Sequence, residues 1–292
     1  MSASAPRSLV CGLIGAGIQA SLTPAMHERE GAAHGLRYIY QKLDTDQPLR
    51  SDATLPQLLA AARWLGFAGL NITYPFKQQV VPLLDELSPE AQALGAVNTV
   101  AIRDGRLIGY NTDCSGFAAA FRSGLPDVAR ERVVQLGAGG AGAAVAQAAL
   151  DLGVETLHVH DIDAARAAAL CARLNQHNGG ERAHAITSDA LANLLRNADG
   201  LIHCTPTGMT KLPGLPLAAE LIDAHLWVAE IVYFPLDTEL LRLARSRGCR
   251  TLDGGGMAVH QAVGAFNHFT GLTADAARMR GHFLELVGIS RN

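Results

Sequence analysis

The chain has 292 residues, with 27 acidic against 24 basic side chains and a formal net charge of -3. Charges this balanced and scattered exclude the electrostatic footprint of a nucleic-acid binder or a protein held on an anionic membrane, and no apolar run approaches a bilayer span. The length suits two domains better than one.

From the N-terminus, "SLVCGLIG" reads as a buried strand that stops at glycine, and "TPAMHEREGAAHGL" as a helix with proline near its start and Gly35 near its end. "RYIYQKLD" is a second strand, "LPQLLAAARWLG" a helix closed by Gly66, and "FAGLNITYP" a third strand. This alternation indicates parallel βαβ units rather than a helical bundle. "ELSPEAQALGAVNTVAIRDGRLIGYNTD" holds a helix start and two short strands about the turn "RDGR". "CSGFAAAFRSG" is read as a linking helix. After it, strands and helices alternate again through "ERVVQLGAGGAGAAVAQAALDLGVETLHVHDID", "RAAALCARLNQ", "HAITS", "LANLLRNADG", "LIHCTPTG", "LWVAEIVY", "TELLRLARSRG" and "RTLDG". Two terminal helices, "MAVHQAVGAFNHFTG" and "TADAARMRGHFLELVG", are expected to return to the first domain. The expected class is therefore two-domain α/β, with residues 1–115 and 257–292 in one domain and 116–256 in the other.

The five cysteines, Cys11, Cys114, Cys171, Cys204 and Cys249, are odd in number, widely spaced and form no CxxC, as in a reduced cytoplasmic chain with buried thiols. The N-terminal stretch is too short in its apolar part and too rich in glycine for a signal peptide. None of the eleven histidines forms an H-E-x-x-H. His158, His160 and His203 read as core or rim residues, so no metal is expected. Cys204, at a strand end, has no visible base and reads as a loop wall rather than a nucleophile. Trp64 and Trp227 read as packing residues.

Gly137, Gly139 and Gly142 form a G-x-G-x-x-G within the turn Gly137, Ala138, Gly139, Gly140, Ala141 and Gly142. The motif alone is weak, but here an apolar strand precedes it, a long helix follows, and a second strand ends in Asp161 at the expected spacing. In such a turn the first glycine permits the tight bend, the second lets backbone approach a pyrophosphate, and the third lets helix and strand pack closely. The helix N-terminus offers its backbone donors to phosphate. A carboxylate at Asp161 accepts bonds from ribose hydroxyls and repels a 2′-phosphate, while Arg166 lies farther along the helix, so NAD is favoured over NADP. Without a ligand, Asp161 is simply a helix N-cap, a role Asp163 fills equally well.

"NITYPFKQQV" places Lys77 where hydrophobic periodicity needs no cation, at an ordinary strand end or at the rim of a site. The alternatives are weighed by the segments "GLIGAGIQASLTPAMH", "GLNITYPFK", "ALGAVNTV", "GYNTD", "GAGGAG", "CTPTGM", "VYFP" and "GGGMAVHQAVGAF". In this order they resemble the shikimate dehydrogenase family, and more particularly its NAD-using quinate/shikimate dehydrogenase branch, over nearly the whole chain. The resemblance implies a substrate domain and a nucleotide domain, with Lys77 as catalytic lysine and Asp113 as its partner. Such a lysine, its pKa lowered by desolvation, could take the proton of a secondary alcohol while a hydride leaves, or the pair could share the transfer. The resemblance also implies that Ser21, Thr23, Thr73, Asn98 and Gln261 surround a cyclic polyol carboxylate. Thr205, Val232, Gly254 and Met257 are implied on the cofactor side, with Tyr233 lining the cleft. Taken alone, Thr23 ahead of Pro24 is an N-cap and Asn98 a turn residue.

Departures from the shikimate-specific pattern are Thr23 in place of a second serine, Glu28 after His27 in place of asparagine, and "HDID" in place of a basic strand end. The threonine is carried by the branch that also accepts quinate. The expected activity is NAD-dependent interconversion of shikimate and/or quinate with the 3-dehydro acid, in a monomer or homodimer. The alternatives are a dehydrogenase of a related amino- or hydroxy-cyclitol acid and a non-catalytic NAD-binding regulatory module.

Overall fold

A computed structural model describes residues 7–48 and 53–288. The first six residues, part of the segment weighed above as a signal peptide, lie outside the described residues. The chain divides into two compact units, one running to Thr112 and resuming at Gln261, the other from Asp113 to His260.

The first unit holds a six-stranded sheet of β1 (Ser8–Gly15), β2 (Arg37–Asp44), β3 (Gly69–Ile72), β4 (Glu86–Leu87), β5 (Thr99–Arg103) and β6 (Arg106–Tyr110), in the order β2-β1-β3-β5-β6-β4. β1 pairs in parallel with β2 and β3, as βαβ crossovers require. β5 runs antiparallel to β3 and β6. The β5–β6 hairpin turns through Asp104 and Gly105, both at positive φ, which matches the strand twist.

Helix α1 (Thr23–Ala33) carries Pro24 in its first turn, and α2 (Leu55–Trp64) begins with a capping box between Thr54 and Gln57. Leu55, Leu59 and Ala62 of α2 enter a core with Ile14, Leu70, Ile72 and Val97. Trp64 does not: it is 86 % exposed, correcting its reading as a packing residue. It follows Ala62 by two positions, about 200° around the helix, and so faces away from the core. A short helix, α3 (Pro89–Leu94), is capped by Ser88.

The second unit opens with α4 (Thr112–Gly124), whose first residue belongs to the first unit. Its sheet contains β7 (Arg132–Leu136), β8 (Thr156–His160), β9 (Ala183–Ala185), β10 (Gly200–His203), β11 (Trp227–Glu230) and β12 (Arg250–Leu252). All are parallel, in the order β12-β11-β10-β7-β8-β9, with the order reversing between β7 and β10. That is the doubly wound nucleotide-binding topology, in which ligands sit beyond the strand C-termini at the reversal. The crossovers are α5 (Gly140–Asp151), α6 (Ala164–Asn178), α7 (Leu191–Leu195) and α8 (Glu239–Ser246). Trp227 packs edge-on to Phe121 at 5.1 Å and donates its indole N–H to the Ala129 carbonyl.

Helix α9 (Gly254–Thr270) contains the second break between units, so no linker composition marks it. Helix α10 (Ala276–Leu286) packs on α1 within the first unit. There the buried carboxylate of Glu30 accepts two bonds from Arg278, at 2.7 and 2.6 Å, and the Asp275 N–H at 2.8 Å. All five cysteines are buried free thiols. Among the described residues, no helix is long and apolar enough to cross a membrane.

Candidate active site

The glycine turn lies between β7 and α5. Gly137 has φ +99°, and a Cβ there would stand 2.6 Å from the Cys204 carbonyl oxygen, so a side chain is excluded twice over. At Gly142 a Cβ would stand 2.3 Å from the Gly137 carbonyl oxygen. Gly139 is the N-cap of α5, makes no side-chain cap bond and has open space where its Cβ would be. The backbone donors of Gly140, Ala141 and Gly142 therefore begin the helix with no side chain over them, a cradle for an anionic phosphate. These residues fit a dinucleotide.

Gln135 clamps the turn from below. Its Nε2 donates to the carbonyls of Gly137 at 2.9 Å and Gly142 at 2.8 Å, and the residue is wholly buried. Asp161, at the end of β8, accepts the Ala138 N–H at 2.7 Å and the Asp163 N–H at 2.9 Å. Arg166 lies 3.6 Å from Asp161 and 3.4 Å from Asp163, paired to both carboxylates. Helix capping falls to Asp163, whose side chain accepts the Arg166 N–H, leaving Asp161 to the glycine turn.

Thr205 follows β10, and its Cγ2 lies 3.1 Å from the Cβ position of Gly137. Val232 is buried after β11, and its carbonyl oxygen lies 2.5 Å from the Cβ position of Gly254. Met257 is buried one turn into α9. Asp113 is buried in the first turn of α4. It lies near Tyr233, whose phenol is pushed above its ordinary value by desolvation and then by the Asp113 carboxylate.

In the first unit, β3 stops at Ile72 and the chain turns back through residues 73–80, shorter as a strand than the apolar pattern suggests. Thr73 N–H bonds the Ile14 carbonyl at 2.9 Å, Phe76 N–H the Thr73 carbonyl at 2.8 Å, and Val97 N–H the Lys77 carbonyl at 2.8 Å. These bonds set half-buried Lys77 beside the Val97–Asn98 backbone at the end of β3. Ser21 and Thr23 leave the end of β1. Leu22, not Thr23, is the N-cap of α1, and Ser21 Oγ accepts the Thr23 N–H at 3.3 Å. Gln261 is half-buried on α9. Glu28 turns to β2, where it accepts the Tyr40 N–H at 3.0 Å.

Asn98 is mostly committed inward. Its Oδ1 accepts the Thr112 N–H at 2.8 Å and the Thr99 hydroxyl at 3.0 Å, while Nδ2 donates to Thr112 Oγ1 at 3.0 Å. An amide has two donors, so what Asn98 retains for a ligand is a donor. The network continues from Thr99 to Asn71 Nδ2 at 3.1 Å and from Asn71 Oδ1 to the Tyr40 hydroxyl at 2.6 Å. Asp44 holds the loop before Ser21, accepting from Gly17, Ile18 and Gln19.

Sequence reading missed Gln135, Asn71, Asp44 and Thr112. For Gln135, Asn71 and Asp44 the available signal was a polar side chain inside or ending a strand, where burial obliges it to find partners, whereas Thr112 at the start of α4 gave no such signal.

Residues 13–100 match the family model described as the shikimate dehydrogenase substrate binding domain. A shikimate dehydrogenase (NADP(+)) of Streptomyces avermitilis is 58 % identical over 281 residues, covering 96 % of this chain and 97 % of the relative. A quinate/shikimate dehydrogenase (NAD(+)) of Corynebacterium efficiens is 50 % identical, covering 96 % and 99 %. Among solved structures, the quinate dehydrogenase of Corynebacterium glutamicum in complex with NAD superposes with a TM-score of 0.93 at 48 % identity, over 96 % of this chain and 99 % of that one. With its doubly wound nucleotide unit and mixed-sheet substrate unit, the chain belongs to the shikimate dehydrogenase family.

Proposed function

We propose that this chain interconverts shikimate and/or quinate with the 3-dehydro acid by hydride transfer to NAD, with Lys77 and Asp113 as the catalytic pair. Full-length similarity to enzymes named for these two acids supports the reaction. Those relatives divide between NADP(+) and NAD(+), so similarity alone leaves the dinucleotide open. The single observation that carries the NAD reading is the Asp161 carboxylate bonded to Ala138 in the glycine turn, with Arg166 paired to Asp161 and Asp163. A 2′-phosphate would bring like charge against that carboxylate.

A bound dinucleotide supplies the hydride acceptor. The chain's part begins with Lys77, which takes the proton of the secondary hydroxyl as its carbon–oxygen bond becomes a carbonyl. Asp113, the partner that the family resemblance gives to Lys77, shares in that proton transfer. Ser21 and Thr23 donate hydroxyls to the carboxylate of the substrate, while Thr73, Asn98 and Gln261 fix its ring hydroxyls. The same reading makes the chain a cytoplasmic enzyme, acting as a monomer or homodimer, whose buried thiols remain reduced. It is tested by initial rates with quinate and shikimate, each with NAD and NADP. Turnover confined to NADP would overturn the cofactor assignment, and no turnover on either acid would overturn the substrate.

A further inference from the structure

One buried hydrogen-bonded pair has no task in that chemistry. His203 ends β10 and Glu230 ends β11, and they are 0 % and 2 % exposed. Both Glu230 oxygens lie 3.0 Å from His203 Nδ1. A carboxylate only accepts, so Nδ1 carries a proton and Nε2 is left to face Thr205 Oγ1, at 2.5 Å. Thr205 Oγ1 also accepts the Thr207 N–H at 3.3 Å. On the opposite side, Glu230 Oε1 accepts the Val232 N–H at 2.9 Å, and Oε2 accepts the Thr238 hydroxyl at 3.3 Å. Thr238 in turn caps α8 by accepting the Leu241 N–H.

The pair therefore ties together the two loops that leave the sheet at β10 and β11. One loop sets Thr205 against Gly137 of the glycine turn, and the other sets Val232 against Gly254. A buried polar pair costs desolvation that apolar residues of the same volume would not, so its use here lies in where it holds its neighbours. We infer that His203 and Glu230 are positioning residues for the dinucleotide, acting through Thr205 and the Val232 backbone to fix both walls of the crevice. This rests on the proposed reading of that crevice as the NAD site.

The test uses the full chain, with calorimetric NAD binding and steady-state kinetics of His203→Gln, Glu230→Gln, Thr205→Val, Thr205→Ser and the His203→Gln/Thr205→Val double variant. The expected result is a rise of about ten-fold in NAD Kd and KM for the first three, with the KM for the acid changed by less than roughly two-fold. Thr205→Ser, which keeps the hydroxyl that His203 holds, should lose distinctly less NAD affinity than Thr205→Val, and the double variant should be no worse than either single change, because the two residues act in series. A lower melting temperature with unchanged NAD Kd and KM would overturn the inference, as would additive losses in the double variant. Should His203→Gln fail to fold, Glu230→Gln and the comparison of Thr205→Val with Thr205→Ser carry the same decision. Absence of NAD binding to the wild type would overturn the cofactor reading, whereas normal wild-type binding with indifferent variants overturns the positioning role alone.

Discussion

The Asp161 carboxylate accepts the backbone N–H of Ala138 at 2.7 Å, joining the end of β8 to the glycine turn after β7. The acid that would select the ribose is thereby held at the turn, and Arg166 is paired with it and with Asp163. Replacing Asp161 by serine removes the repulsion and one partner of Arg166. The ratio of kcat/KM for NADP to that for NAD should rise by at least about ten-fold, because a like-charge contact at short range is worth more than a kilocalorie per mole. An unchanged ratio would place cofactor discrimination elsewhere.

Gln135 supports the same turn from β7, where it is wholly buried. In Gln135→Leu the carbonyls of Gly137 and Gly142 lose a shared donor inside a buried strand–helix junction. Losing these two buried bonds costs about 1–3 kcal/mol, to be read by denaturant unfolding. The KM for NAD should rise while the KM for the acid stays constant.

The first unit has a corresponding support in Thr99, which is 0 % exposed, donates to Asn98 Oδ1 and accepts from Asn71. Thr99→Val keeps the shape and deletes both bonds together with the contact to Thr112 Oγ1 at 3.1 Å. We expect a loss of about 1–2 kcal/mol in stability. The KM for the acid, not for NAD, should increase as Asn98 loses its brace, and a selective change in the NAD KM would contradict that assignment.

Acid should destabilise the first unit in two stages. His27 is wholly buried against Tyr38, Tyr40, Phe266 and Phe269, and burial pushes its pKa down to about 3, opposed by the Glu30 charge. The unfolded histidine takes its proton near 6.5, so the folded chain binds fewer protons below that pH and stability falls as pH drops from 6.5 toward 3. For Glu30, burial favours the protonated acid, but Arg278, the Asp275 N–H and His34 outweigh it and hold the carboxyl below its ordinary 4.5. Its contribution is present above 4.5 and is lost as pH falls through the lower folded value. In His27→Phe, the decline in unfolding free energy between about pH 6.5 and 4.5 should flatten, while the decline at lower pH remains. Equal slopes for the variant and wild type would show that other groups carry the acid sensitivity.

β1 and β2 occupy the segments that the sequence marks, β1 as an apolar run ending in glycine and β2 as an alternating stretch whose Tyr38 and Tyr40 turn inward and which ends at Asp44. The glycine turn is equally legible, since its spacing encodes one backbone path. The supports of the site are not. Asp44 binds N–H groups of residues 17 and 18, and His203 and Glu230 meet across neighbouring parallel strands, so each partnership is set by sheet order rather than by nearness in sequence. What the sequence does display is the anomaly: Asn71, Gln135, His203 and Glu230 are polar residues in or ending short apolar strands. Two-residue β4 carries too little pattern to be seen. Trp64 misleads because large apolar side chains are usually buried, whereas its angular position on α2 turns it outward.

The proposed chemistry has Lys77 accept the proton of a quinate or shikimate hydroxyl while NAD is reduced. Initial-rate NADH formation at alkaline pH, with each acid and with Lys77→Ala alongside the wild type, tests it most directly. Turnover is expected with at least one acid, with a fall in kcat of at least about a hundred-fold in the variant and NAD binding intact. Comparable turnover in wild type and variant, or saturable NAD binding with no oxidation of either acid, would contradict it.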